Sequence, residues 1–141
     1  MEYEEVSSPT WVASVAAVDE NVLDSALVVG LAEDESGEGR QLVLQCSLRE
    51  PDDQDQRLGQ DTYCVLNETG GIVYGGIEAV TFSPAGISFR FSLAAAEKLA
   101  LPLPEVIVGI APEVQVEPFR KELRRVLTYG DPQKVPSLLD F

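Results

Sequence analysis

Apolar and polar residues alternate most regularly over Arg40–Arg49, where Leu42, Leu44, Cys46 and Leu48 interleave with Val43, Gln45, Ser47 and Arg49. A two-residue period is that of a strand with one face on a core. Two earlier runs, Trp11–Val18 and Ala26–Ala32, are rich in β-branched and apolar residues and are separated by polar turn residues, which predicts a pair of neighbouring antiparallel strands. Further on, Asp61–Asn67 and Ile72–Tyr74 flank Glu68-Thr69-Gly70-Gly71, a turn signal that predicts a hairpin. Gly75-Gly76 then reverses or bulges the chain, and Ile77–Phe82, Ser83-Pro84-Ala85-Gly86 and Ile87–Phe91 read as another strand-turn-strand unit.

The period changes after residue 91. Leu93–Ala100 is rich in strong helix formers, with Ser92 placed to cap it and Pro102 and Pro104 to stop it. Val106–Ile110 reads as a last strand, and from Pro118 onward Phe119, Leu123, Val126 and Leu127 recur at helical spacing. The opposite face of that helix carries Arg120, Lys121, Arg124 and Arg125, expected to be a solvated basic face. The predicted fold class is α+β, a mainly antiparallel sheet of about seven or eight short strands with two helices in the C-terminal half. Residues 1–9 read as a flexible acidic leader and 10–129 as a single domain. Residues 130–141 read as a Pro-containing tail, apolar enough at Leu138, Leu139 and Phe141 to dock but too broken for a regular element.

Composition narrows the chemistry. The chain has 141 residues, 45% of them hydrophobic, which suits one compact domain with a core that needs neither metal nor disulfide. It contains no histidine, so Ser-His-Asp and Cys-His catalysis and every His-containing metal site are excluded. Cys46 and Cys64 match no zinc or redox spacing and read as buried free thiols. No Gly-rich phosphate loop is present. Asp34–Gly39 opens like a calcium loop, but its twelfth position is Gln45 where a bidentate Glu is needed. Nor does any spacing single out a catalytic carboxylate pair. Hence no enzyme activity, cofactor or metal is expected.

Charge is the most distinctive feature. The net charge is −14, and it is uneven: residues 1–70 hold 16 acidic and 3 basic side chains, residues 71–141 hold 8 and 7. Such a field repels nucleic acid and anionic membranes and attracts basic proteins. The start is acidic where a secretory signal is basic, and no stretch has the ~18 consecutive apolar residues of a membrane-spanning helix, so the expected location is cytoplasmic.

Gln41-Leu42-Val43-Leu44-Gln45, the Asp52-Asp53-Gln54-Asp55 loop, Leu58-Gly59-Gln60-Asp61-Thr62-Tyr63 and Tyr74-Gly75-Gly76-Ile77-Glu78 follow one another in an order and spacing that resembles the immunity protein 10 family of bacterial polymorphic toxin systems. The likeness spans roughly residues 11–128. It implies a protein that binds and neutralises a cognate toxin domain encoded by a neighbouring gene. It supplies no catalytic residues and leaves the toxin's chemistry open. The charge adds that a basic toxin, such as a nuclease, is the natural partner. The candidate partner-binding residues are Glu33, Asp34, Glu35, Glu38, Glu50, Asp52, Asp53, Asp55 and Asp61, because both acidic loops flank the Arg40–Arg49 strand. Tyr63 and Tyr74 are expected to support the core or a turn. The alternative function is a non-catalytic acidic adaptor for another basic protein.

Overall fold

The computed structural model describes residues 9–141; residues 1–8, most of the expected leader, lie outside the described residues. Among the described residues ten strands form: β1 (Trp11–Ala13), β2 (Val15–Asn21), β3 (Ala26–Ala32), β4 (Gln41–Ser47), β5 (Cys64–Asn67), β6 (Ile72–Tyr74), β7 (Ile77–Ser83), β8 (Gly86–Phe91), β9 (Glu105–Ile110) and β10 (Leu138–Asp140). Three helices accompany them, α1 (Asp53–Arg57), α2 (Leu93–Lys98) and α3 (Glu117–Leu127), with a 3-10 turn at Pro132–Lys134. The class is α+β, as expected. The expected count of seven or eight strands is corrected, because the strands divide into two sheets of five, ordered β1-β9-β8-β7-β10 and β2-β3-β4-β5-β6.

Two local breaks create the second sheet. The apolar run from Trp11 is one strand in prospect but two in fact. At Ser14 the chain leaves β1, which pairs in parallel with β9, and enters β2, which pairs antiparallel with β3. The Ser14 hydroxyl donates to the Glu33 carbonyl and its N–H to the Ala32 carbonyl, fixing the corner. At the second crossing, Gly75 and Gly76 take φ of +72° and +93° and carry the chain from β6 into β7 of the other sheet. A Cβ on Gly76 would lie 2.6 Å from the Ala95 methyl, so α2 also requires the glycine. The glycines thus switch sheets; a one-residue irregularity follows between Ile77 and Ala79.

The expected hairpins β5–β6 and β7–β8 form with antiparallel registers. Ser92 caps α2 by accepting from the Ala95 N–H at 3.1 Å, and Pro118 sits in the first turn of α3. Inward residues of both sheets join one core with α2 and α3: Leu27, Val29, Leu31, Leu42 and Leu44 from one sheet, Val80, Phe89, Val106 and Val108 from the other. The side chain of Tyr63 is wholly buried there; its hydroxyl accepts from the Ile77 N–H at 2.9 Å and donates to the Ile77 carbonyl, satisfying the oxygen in an apolar setting.

Two expectations about the C-terminal part change. Residues 138–140 do form a regular element, since β10 pairs in parallel with β7 and Leu139 and Phe141 pack against the core. Pro132 and Pro136 fall outside the strand, so they cost it no ladder bond. The basic face of α3 is not simply solvated. Arg120 lies 5.3 Å from the Phe82 ring, Arg124 lies 5.5 Å from the Phe141 ring and donates to the Phe141 carbonyl at 2.7 Å, and Arg125 pairs with Glu20 at 3.0 Å and Glu122 at 3.3 Å. The Arg120 and Arg124 guanidinium groups lie over aromatic rings, so α3 ties β2, β7 and the chain end together.

Candidate partner-binding surface

The nine candidate acids fall in two groups. Glu33, Asp34, Glu35 and Glu38 belong to the β3–β4 connection, and Glu50, Asp52, Asp53, Asp55 and Asp61 to the β4–β5 connection. These connections leave opposite ends of β4, seven residues and about 20 Å apart along the strand. The structure therefore does not gather the candidates into one cluster. They stand at the two ends of the β2–β6 sheet.

Several have structural duties. The Glu33 carboxylate accepts from the Arg40 backbone N–H at 2.6 Å and from its guanidinium at 3.1 and 3.3 Å, which holds its pKa below the usual range. The Asp34 carboxylate accepts from the Ser36 hydroxyl and from the Ser36 and Gly37 N–H groups, a turn that also lowers its pKa. Asp52 caps α1 by accepting from the Asp55 N–H at 2.8 Å, and Asp55 accepts in return from the Asp52 N–H at 3.0 Å. Among the described residues Glu35, Glu38, Glu50 and Asp53 make no side-chain hydrogen bond or ion pair, and all four are exposed.

Asp61 does not face solvent. It is 8% exposed and paired with the Lys134 ammonium, whose hydrogen bond lowers its pKa from the ordinary 3.8. Its backbone carbonyl accepts from the Asp131 N–H at 2.8 Å, so it clamps the segment after α3. The lowered pKa fixes the sign of a pH effect: the pair stabilises the fold above the ordinary value and is lost as pH falls through the lower folded-state value. Asp61→Asn is therefore expected to melt below the wild type at neutral pH, with the difference closing only below about pH 3.8 in thermal melts across the acid range. A difference that persists unchanged to the acid limit would contradict this role.

At the α1 end a cleft of about 420 Å³ opens between Asp24, Glu50, Asp52 and Asp55, with Tyr74 and Tyr129 on its wall. Tyr129 donates to the Arg49 carbonyl at 2.8 Å. Tyr74 is 43% exposed on the edge strand β6, which takes it out of the core but leaves it beside the Gly75-Gly76 turn. Cys46 and Cys64 are free and buried, and burial pushes both thiols up, Cys46 to about 11, so neither is a thiolate at neutral pH. Among the described residues the carboxylates with displaced pKa, Glu33, Asp34 and Asp61, are all lowered, the opposite of what a general acid requires. Gln45 stands inside β4, opposite Cys64, and so is held out of the Asp34–Gly39 turn. Sequence reasoning missed Asp24 and Glu68. Asp24 lies in the β2–β3 turn, which the register brings to the α1 end, and the Glu68 carboxylate accepts from the Gln41 N–H at the other end. Strand pairing is the signal that locates both.

The family model described as Immunity protein 10 matches residues 12–117, from β1 to the first residue of α3, and includes both acidic connections. The chain belongs to the immunity protein 10 family. The matched span ends short of the residue 128 expected from the motifs, so most of α3 and β10 lie beyond it. No curated protein and no solved structure matches the chain. Membership in the immunity protein 10 family implies an immunity protein of a toxin system, a class that works by binding a cognate toxin. No helix among the described residues is long and apolar enough to cross a membrane.

Proposed function

We propose that this chain neutralises a cognate toxin domain by occupying or distorting the toxin's active site, and that it does so in the cytoplasm of the producing cell or its siblings. The reading rests on the family match over residues 12–117. The partner, encoded by a neighbouring gene, is a basic domain such as a nuclease. Two physical features support that charge assignment. The first half of the chain carries nearly all of the net −14, and the exposed Glu35, Glu38, Glu50 and Asp53 are free to meet lysines and arginines. Acidic ends on a rigid sheet steer a basic partner toward it and set its orientation, while apolar contacts hold the complex.

The chain acts stoichiometrically on this account. Co-expression with the toxin domain from the neighbouring gene is expected to restore growth of a sensitive host, with protection lost once toxin outnumbers the chain. A host that dies equally with and without the chain would overturn the reading and leave an acidic adaptor for a different basic protein.

A further inference from the structure

The outer face of the β2–β6 sheet carries one wholly apolar row, set between a row that holds Gln41 and a row that holds Asp19 and Gln45. Side chains alternate between the two sides of each strand, and one outward row crosses all five strands in register: Ala17 opposite Gly30, Gly30 opposite Val43, Val43 opposite Leu66 and Leu66 opposite Ile72. None of these five residues has a polar side-chain atom, and each is at least partly exposed. The row is about 19 Å long at the usual strand spacing. Helix α3 packs its buried residues against the inward side of this sheet, so it does not cover the row. The other sheet differs. One of its outward rows runs Ile107, Ser88, Thr81, Asp140 and the next holds Glu105 and Arg90, and Ser88 donates to Glu105 at 3.1 Å on the same face.

Gly30 is the second observation. It sits in the middle of an interior strand, where glycine weakens pairing, yet its φ is not positive. A Cβ there would meet only Val43 at 3.6 Å and the Leu42 carbonyl at 3.8 Å, ordinary contacts. Nothing within the described chain calls for the missing side chain. Close approach of another molecule from outside is a use to which a strand glycine is put.

Charge identifies the occupant. Glu35 and Glu38 lie beyond one end of the face and Glu50 and Asp53 beyond the other. An apolar row with polar neighbours and charged margins matches the anatomy of a protein interface, apolar at its centre and polar toward its rim. We propose that this face is where the basic toxin domain seats, its apolar patch lying across Gly30, Val43 and Leu66 and its lysines and arginines reaching the acidic connections at both ends. The inference rests on the immunity reading above and names that reading's contact surface.

The test uses the full chain, the purified toxin domain from the neighbouring gene, and two sets of substitutions. Gly30→Ile fills the gap in the row, and Val43→Gln with Leu66→Gln removes its apolar centre without changing charge. Each set is expected to weaken binding by about 30-fold or more, the effect of losing central interface contacts. The melting temperature of Gly30→Ile should be unchanged or raised, since a β-branched residue suits a strand. Should the double variant fail to fold, Gly30→Ile carries the test alone. Folded variants that bind as tightly as the wild type would overturn the docking face and leave the immunity reading standing; a wild type that binds no toxin would overturn both. A wild-type dimer in sedimentation that Gly30→Ile dissolves would show a second copy on the face and overturn the proposal as well.

Discussion

Phe119→Ala is expected to lower the free energy of unfolding by about 3–5 kcal/mol, a large part of the ~5–15 kcal/mol that holds a domain of this kind together. Phe119 is 1% exposed, and with Leu123, Val126 and Leu127 it forms the apolar side of α3 that packs on β2, β3 and β4. The other flank of the same helix reaches Phe82 of β7 and the chain end. Losing the ring therefore opens a cavity in the shared core, between α3 and the β2–β6 sheet. Lys121→Ala, on the exposed side, is the control and should change stability by no more than about 0.5 kcal/mol. Denaturant unfolding monitored by Trp11 fluorescence measures both. A loss below about 1 kcal/mol for Phe119→Ala would mean that α3 lies outside the cooperative core.

The second large effect is on association. Replacing Glu35, Glu38 and Glu50 by Gln and Asp53 by Asn changes the net charge from −14 to −10 while sparing every acid that caps α1, closes a turn or pairs within the chain. The association rate with the toxin domain is expected to fall by about tenfold or more at low ionic strength, because steering by such fields contributes 10- to 1,000-fold. The difference should shrink as salt rises and the Debye length shortens to less than the loop-to-loop distance. Dissociation should change less, since the apolar row is untouched. Stopped-flow mixing across a salt series separates the two. Unchanged rates and an unchanged salt slope would remove the acidic connections from the encounter.

What the sequence made legible was local. The alternation over Arg40–Arg49 announced β4 with Leu42, Leu44 and Cys46 inward, and the turn residues announced the β5–β6 and β7–β8 hairpins. The division into two sheets was not legible, because Ser14 and Gly75-Gly76 signal a break without saying which strand comes next. Both parallel pairings are remote in sequence: Trp11 meets Val108, and Leu138 meets Ala79. No local pattern encodes such a pairing.

The acidic connections were legible as composition. Their separation was implicit, since loops that flank one strand must stand at its two ends. The withdrawal of Asp61 was not implicit, because its partner Lys134 is brought in by the turn at Pro132–Lys134. The outward apolar row needed the register of four strand pairs and so could come only from the structure.

The most direct test of the account is an equilibrium titration of the purified full chain against the purified toxin domain from the neighbouring gene, at low and at high ionic strength. The account predicts a tight one-to-one complex whose affinity falls by about tenfold or more with added salt, yet stays measurable because apolar contacts remain. No complex at micromolar concentrations and low salt would contradict the central claim.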